Sequence, residues 1–243
     1  MSKKDVQYTN PALKAKDDTR VVVLRHTKGV RVRHALVIIT TFALIFTGFL
    51  MWAGLSSMSG VVAIVHAILG LVFIAIPLSW VFTDFRHFSA FIDDITHYDG
   101  DDVKWIAKGG GYLGGDPAKL PAQGKYNTGQ KLAGLFMVIC GVVLGISGFL
   151  MALATTTFGV TLPIGETTKD LLWRIHLIAA IVMLVLVVVH IFLVLMAKNA
   201  PALNSMFGDG TVDLDYAKEH YERWMEEEVT VLEDESEKFS AKV

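Results

Sequence analysis

Apolar residues are gathered into four long runs that polar segments of very different length separate. Each run is long enough to cross about 30 Å of hydrocarbon as an α-helix. The pattern therefore predicts an all-α membrane protein built as a bundle of four transmembrane helices. The predicted spans cover residues 34–55, 61–82, 132–154 and 171–197.

Three longer polar segments flank these spans: residues 1–33, the loop 83–130 and the tail 198–243. Glycine and proline make part of the loop, residues 109–124, look irregular. In the tail, the stretch 212–228 has the composition of a helix.

The distribution of lysine and arginine predicts the orientation. Residues 1–33 are strongly basic and the loop 83–130 carries five lysine or arginine residues, whereas the link 155–170 carries only Lys169. Cytoplasmic segments of membrane proteins are rich in these residues. We therefore expect both termini and the long loop on the cytoplasmic side of a bacterial inner membrane, with the helices surrounded by lipid.

The amino-acid composition limits the cofactors and partners that this chain can have. Of its 243 residues 53% are hydrophobic, and a mean hydropathy of +0.48 suits a membrane protein with sizeable polar parts. A net charge of −2 gives no sign of a nucleic-acid partner. With Cys140 as its one cysteine, the chain forms no internal disulfide and holds no iron–sulfur cluster or thiolate zinc site of its own. It also lacks the C-x-x-C-H motif of covalently attached haem.

Four histidines lie in the predicted spans, where ionisable side chains are costly and are functional by default. His176 and His190 are fourteen residues apart, about 21 Å along one helix and on the same face of it. By depth, His66 pairs with His176 near the outer face, and His34 pairs with His190 near the cytoplasmic face. Two such pairs suggest two stacked cofactors, and bis-imidazole ligation of haem iron is the matching chemistry.

Other interpretations of these histidines remain open. A membrane histidine can also form a hydrogen bond between helices. His34 is the weakest of the four because it lies at the interface, and His26 competes for its role if the first helix begins early. A transporter or metal-permease subunit with membrane histidines is a more distant alternative, which predicts a protein without a Soret band.

Several motifs together resemble one known family. They are RVRHALVIITTFALIFTGF (31–49), AIVHAILGLVFI (63–74), and the paired RIHLIAA and VVVHIFLV of the last span. The most specific is DDVKWIAK (101–108) followed by GKYNTGQKLAG (124–134). This pattern resembles the cytochrome b (gamma) subunit of membrane-bound formate dehydrogenases, from about residue 25 onward.

The resemblance implies two haem b groups and their ligands. The outer haem would be held by His66 and His176, and the inner haem by His34 and His190. These are the pairs that depth in the membrane also indicates.

The resemblance also implies a site for menaquinone or ubiquinone beside the inner haem, formed by Asn127 and Gly129 with His190. Independently of it, Asn127 and Gln130 can donate hydrogen bonds to a quinone carbonyl, and Gly129 allows close approach of the backbone. Asn127 is equally a good N-cap for the third span, which is the structural alternative.

A membrane-anchor subunit of a formate dehydrogenase complex is the implied function. It would pass electrons from a periplasmic iron–sulfur beta subunit through two haems to quinone at the cytoplasmic side. Formate itself would be oxidised by a molybdenum- or tungsten-pterin alpha subunit, and the complex could form higher oligomers. The same four-helix cytochrome could instead serve a nickel–iron hydrogenase or a thiosulfate or polysulfide reductase.

Overall fold

The structure is a computed structural model that describes residues 13–15, 21–58, 60–112, 120–155, 157–159 and 162–226. The described helices are, in chain order, α1 (Lys28–Trp52), α2 (Val61–Thr83), α3 (Phe85–Thr96), α4 (Gly100–Ala107), α5 (Thr128–Ala154), α6 (Glu166–Val194), α7 (Ala200–Phe207), α8 (Leu214–His220) and α9 (Glu222–Trp224). The described strands are β1 (Leu13–Ala15), β2 (Val21–Leu24) and β3 (Thr211–Asp213).

Four of these helices, α1, α2, α5 and α6, are long and apolar enough to cross a membrane. They confirm the prediction of a mostly helical membrane protein with four candidate spans. Large apolar side chains stand exposed along them, as a surface that faces lipid requires. Examples are Ile39 at 65% exposure, Phe46 at 63% and Ile178 at 62%.

Three of the four long helices begin earlier than the apolar runs suggest: α1 at Lys28, α5 at Thr128 and α6 at Glu166. The reason is that an apolar run marks only the part of a helix that lies in hydrocarbon, whereas helices start at polar capping residues. At α1 the cap is Thr27, whose Oγ1 accepts a hydrogen bond from the backbone N–H of Val30 at 3.4 Å.

The first long helix ends at Trp52 rather than at residue 55 because Gly54 adopts a φ of +70°. The N–H of Gly54 donates to the carbonyl of Met51 at 3.1 Å, and that of Leu55 donates to Leu50 at 2.9 Å. This pair of bonds is a Schellman motif, which satisfies the last carbonyls of a helix.

The chain divides into two compact units. The membrane unit comprises residues 32–89 and 134–191. Within it, glycines of α5 lie against side chains of α2. A Cβ added to Gly145 would lie 3.1 Å from Cγ1 of Ile74, and one added to Gly141 would lie 3.5 Å from Cε1 of Phe73. Small residues at these positions therefore let the two helices approach closely.

The second unit, which we call the polar unit, comprises residues 1–31, 90–133 and 192–243. In it β2 is the central strand and pairs antiparallel with both β1 and β3. The N-terminal segment and the tail, which we predicted as separate segments, thus share one sheet. The stretch 212–228, expected to be one helix, starts in β3 and continues as α8 and α9, and its last two residues lie outside the described residues. The buried core under the sheet consists of Val23, Val212, Ala217, Tyr221, Trp224 and Met225.

Among its described residues, the loop predicted over residues 83–130 contains the α-helices α3 and α4, a short 3₁₀-helix at Gly109–Gly111 and the first residues of α5. A reciprocal capping box starts α4: the Asp99 carboxylate accepts from the backbone N–H of Asp102 at 3.1 Å, and the Asp102 carboxylate accepts from that of Asp99 at 3.0 Å. Within the part expected to be irregular, residues 113–119 lie outside the described residues.

A buried ion pair joins α4 to the first turn of α5. Nζ of Lys131 lies 3.0 Å from Oδ2 of Asp102, and Oγ1 of Thr128 donates to Oδ1 of the same carboxylate at 2.7 Å. Asp102 is 2% exposed and Lys131 is 8% exposed. Because both side chains are shielded from water, each charge depends on the other for its stabilisation. Burial, together with the nearby Asp102 carboxylate, raises the pKa of Tyr98.

Replacing Asp102 with Ala should therefore destabilise the protein by about 3–5 kcal/mol, because it leaves the Lys131 ammonium buried without its counter-charge. The matched control is Asp101→Ala on the same helix, whose ion pair with Lys104 is exposed and worth about 0–1 kcal/mol. Thermal unfolding of the detergent-solubilised protein would measure both. Equal losses in the two variants would contradict a special role for the buried pair.

Candidate functional site

Two imidazoles lie close together inside the membrane unit. His66 comes from α2 and His176 from α6, and their ring centroids are 6.2 Å apart with an angle of 70° between the ring planes. Each ring is thus held on its own helix, and the bundle brings together two histidines that are far apart in the chain. They are the pair that both depth and the resemblance predict for the outer haem.

This spacing fits one metal ion between two imidazoles. Metal–imidazole bonds of about 2 Å on both sides of an iron place the ring centroids about 6 Å apart. Any angle between the ring planes is compatible with such ligation, since each ring can turn about its bond to the metal. His66 and His176 are therefore residues that would fit one haem iron between them.

In each of these two rings, Nδ1 lies within hydrogen-bond distance of a buried hydroxyl group. We did not predict these contacts from the sequence. Oγ1 of Thr47, on α1, lies 2.8 Å from Nδ1 of His66. Oγ of Ser147, on α5, lies 3.0 Å from Nδ1 of His176. Both hydroxyls are buried, at 9% and 3% exposure of their residues. His66 and His176 thus each have Nδ1 fixed by a neighbouring helix.

A sequence signal for these hydroxyls exists in an internal repeat. TGFLM (47–51) on α1 recurs as SGFLM (147–151) on α5. The glycine of each copy lies against the histidine: a Cβ on Gly48 would lie 3.3 Å from Cε1 of His66, and one on Gly148 would lie 3.0 Å from Cε1 of His176. Each copy therefore supplies a hydroxyl for the imidazole and space beside it.

The other two membrane histidines, His34 on α1 and His190 on α6, also belong to the membrane unit. The neighbouring Arg33 donates through Nη2 to Oγ1 of Thr83 at 2.5 Å, and its guanidinium carbon is 5.7 Å from the ring centroid of Trp80. Its Nη1 is buried and has no hydrogen-bond partner within the part of the chain that the structure describes. A carboxylate, such as a haem propionate, would supply the acceptor that this nitrogen needs.

His26, the competing ligand considered for His34, belongs to the polar unit and precedes α1. It is 5% exposed, its backbone N–H donates to the carbonyl of Gly210 at 3.0 Å, and its ring centroid is 6.4 Å from that of Tyr126. Its surroundings are thus those of a packed residue beside the sheet.

Of the four residues predicted to bind quinone, Asn127, Gly129 and Gln130 lie at the start of α5, and His190 lies on α6. Oδ1 of Asn127 accepts from the backbone N–H of Gln130 at 2.9 Å, and Oε1 of Gln130 accepts from that of Asn127 at 3.1 Å. Arg25 also donates to Oε1 of Gln130, at 3.2 Å. Asn127 is therefore an N-cap, the structural alternative that the sequence left open, but the cap does not use its Nδ2 amide.

The two most specific motifs of the sequence pack against each other. A Cβ on Gly129 would lie 2.9 Å from Cη2 of Trp105, so the ring of Trp105 already requires glycine at this position. Asp102 of the same DDVKWIAK segment holds Thr128 and Lys131 of GKYNTGQKLAG. Packing between the two segments is thus one physical reason why these motifs contain the residues that they do.

Comparison with known proteins places this arrangement in a family. A relative from Haemophilus influenzae, named formate dehydrogenase, cytochrome b556 subunit, is 26% identical over 219 residues, which cover 88% of this chain and 85% of the relative. Residues 25–209, which include all four membrane helices and the four membrane histidines, match the family described as prokaryotic cytochrome b561. The chain belongs to the prokaryotic cytochrome b561 family.

Proposed function

We propose that this chain is the diheme cytochrome b subunit that anchors a formate dehydrogenase complex in the bacterial inner membrane and delivers its electrons to quinone. Its family implies haem b, and the name of the relative from Haemophilus influenzae supports formate dehydrogenase as the enzyme. The observation that carries the proposal is the pair of imidazoles, His66 and His176, at the separation that one iron needs.

His66 and His176 would hold the outer haem, and His34 and His190 would hold the inner one. Bound haem supplies reversible one-electron exchange between ferric and ferrous iron. The chain's own part is to hold the imidazoles in place and to keep the surroundings apolar. Arg33 would receive a propionate of the inner haem on its buried Nη1.

The proposed electron path runs from the periplasmic side to quinone at the cytoplasmic side, and it determines which partner subunits the chain needs. Because this chain has one cysteine, we assign the iron–sulfur cluster that supplies electrons to a periplasmic beta subunit. A molybdenum- or tungsten-pterin alpha subunit would oxidise formate. In this arrangement both termini and residues 83–130 lie on the cytoplasmic side, in agreement with the lysine and arginine content of residues 1–33 and of the loop 83–130.

For menaquinone or ubiquinone we propose contacts with Asn127, Gly129 and Gln130, and His190 as the ligand of the nearer haem. The Nδ2 amide of Asn127 is a suitable donor to a quinone carbonyl because the helix cap engages only Oδ1 of this side chain. Oε1 of Gln130 accepts hydrogen bonds from Arg25 and from the backbone N–H of Asn127. The Nε2 amide of Gln130 is the group that would donate to a quinone carbonyl.

Single histidine substitutions test the haem assignment. Each of His66→Ala and His34→Ala should lose one of two haem b groups, because each removes an axial ligand of a different haem. Pyridine-haemochrome quantification and reduced-minus-oxidised spectra of the purified protein measure the loss. His97→Ala, at a side chain that is 82% exposed, is the control and should keep both haems. One haem in the unsubstituted protein, or an unchanged content in His66→Ala, would refute the diheme assignment.

The identity of the partner enzyme can be tested on the intact complex. A tagged copy of this chain, isolated from its native membranes under mild detergent, should bring with it molybdenum or tungsten and reduce a quinone analogue when formate is added. Metal analysis and formate-dependent quinone reduction are the measurements. Nickel with hydrogen-dependent reduction would instead identify the hydrogenase alternative.

Two substitutions at Asn127 separate quinone binding from helix capping. Asn127→Asp keeps an oxygen for the cap but removes the amide donor, whereas Asn127→Ala removes both. If the amide binds quinone, both variants should reduce quinone up to about 10-fold more slowly, the effect of one lost hydrogen bond. The dithionite-reduced haem spectra should stay unchanged. Full activity in Asn127→Asp would leave Asn127 with the capping role alone.

A further inference from the structure

Thr47 and Ser147 each have a single hydroxyl proton, and each hydroxyl lies within hydrogen-bond distance of a carbonyl of its own helix. Oγ1 of Thr47 donates to the carbonyl of Ala43 on its own helix at 2.8 Å, and Oγ of Ser147 donates to the carbonyl of Val143 at 2.6 Å. Hydroxyls in helices commonly form this bond to the carbonyl four residues earlier. Each oxygen is left with lone pairs only, so towards a second polar group it can act only as an acceptor.

The second polar group is Nδ1 of a histidine in both cases, at 2.8 Å for His66 and 3.0 Å for His176. With the hydroxyl proton donated to the carbonyl of its own helix, the hydroxyl oxygen accepts from Nδ1, which then carries the proton of the ring. A neutral imidazole with its proton on Nδ1 has a free lone pair on Nε2, the form in which it ligates a metal through that atom. Two hydroxyls on two different helices thus select the same tautomer for both rings.

We propose that Thr47 and Ser147 are positioning residues for the outer haem, which fix the tautomer and orientation of His66 and His176 and set the reduction potential of the iron. This inference rests on the proposed function, because it requires that these histidines ligate haem. An acceptor on Nδ1–H raises the basicity of the imidazole, which stabilises ferric iron and lowers the reduction potential.

The internal repeat supports this role independently of the distances. Thr47-Gly48 and Ser147-Gly148 occupy the same place in the two copies, and each copy serves the histidine of a different helix. In both, the glycine lets the ring lie against the helix that carries the hydroxyl. The outer haem would therefore have matched supports on its two faces.

The experiment is a redox titration of the purified diheme protein in which the hydroxyls are removed one at a time. Thr47→Val and Ser147→Ala keep nearly the same volume but remove the acceptor of Nδ1–H. We expect the reduction potential of the outer haem to rise in each variant, while that of the inner haem stays in place. The low-spin EPR signal of the outer haem should also change because its ligand is no longer held in one orientation.

Conservative variants and a matched control separate positioning from general packing. Thr47→Ser and Ser147→Thr retain a hydroxyl and should restore the potential of the unsubstituted protein. Thr40→Val is the control: Thr40 is buried on the same helix, and its hydroxyl donates to the carbonyl of Leu36 at 2.8 Å, as Thr47 does to that of Ala43. Its removal should leave both potentials unchanged.

The outcomes distinguish this inference from the proposed function. Two haems in the unsubstituted protein, loss of one in His66→Ala, and unchanged potentials in Thr47→Val and Ser147→Ala would overturn the positioning role alone. A His66→Ala variant with unchanged haem content would refute the ligand assignment itself. Loss of the outer haem in Thr47→Val with full retention in Thr47→Ser would support the positioning role in a stronger form.

Discussion

An imidazole buried among lipid-facing helices needs a partner for each of its two ring nitrogens, and this requirement governs the membrane unit. An unpaired polar group in hydrocarbon is costly, so a helix that carries one has to be paired with a neighbour that satisfies it. His66 and His176 meet this requirement on the Nδ1 side through hydroxyls of α1 and α5. All four membrane helices are therefore needed to hold one pair of rings close together.

A different constraint shapes the polar unit, where charges are buried with their partners. Arg25 is 3% exposed, its Nη1 donates to the hydroxyl of Tyr221 at 2.6 Å, and its Nη2 donates to the carbonyl of Lys125 at 2.9 Å. The guanidinium carbon also lies 4.0 Å from the ring centroid of Tyr221. This arginine joins the N-terminal segment, the start of α5 and the tail, which are distant from one another in the chain. The positive charge of Arg25 therefore stabilises the fold of the polar unit, in addition to making the N-terminal segment basic.

Much of the membrane unit could be predicted from the sequence, because hydrocarbon imposes a length and a polarity that a chain cannot avoid. The four apolar runs and the four histidines within them were visible for that reason. The polar unit was not, since its sheet depends on pairing Val23 with Val212 across most of the chain, and strands of three or four residues leave little local signal. Thr47 and Ser147 were missed because a hydroxyl in a membrane helix usually needs no partner beyond a carbonyl of its own helix.

The internal repeat divides the candidate ligands into two kinds. His66 on α2 and His176 on α6 have corresponding supports, Thr47 and Ser147, which are one hundred residues apart in the chain. His34 lies thirteen residues before the first copy, and the residue thirteen before the second copy is Gly134, so no second histidine stands at the corresponding position. The proposed inner haem thus depends on residues outside the two copies, whereas the proposed outer one depends on supports that the copies share. Properties of the two proposed haems should respond to separate sets of substitutions, since no residue of one set lies in the other.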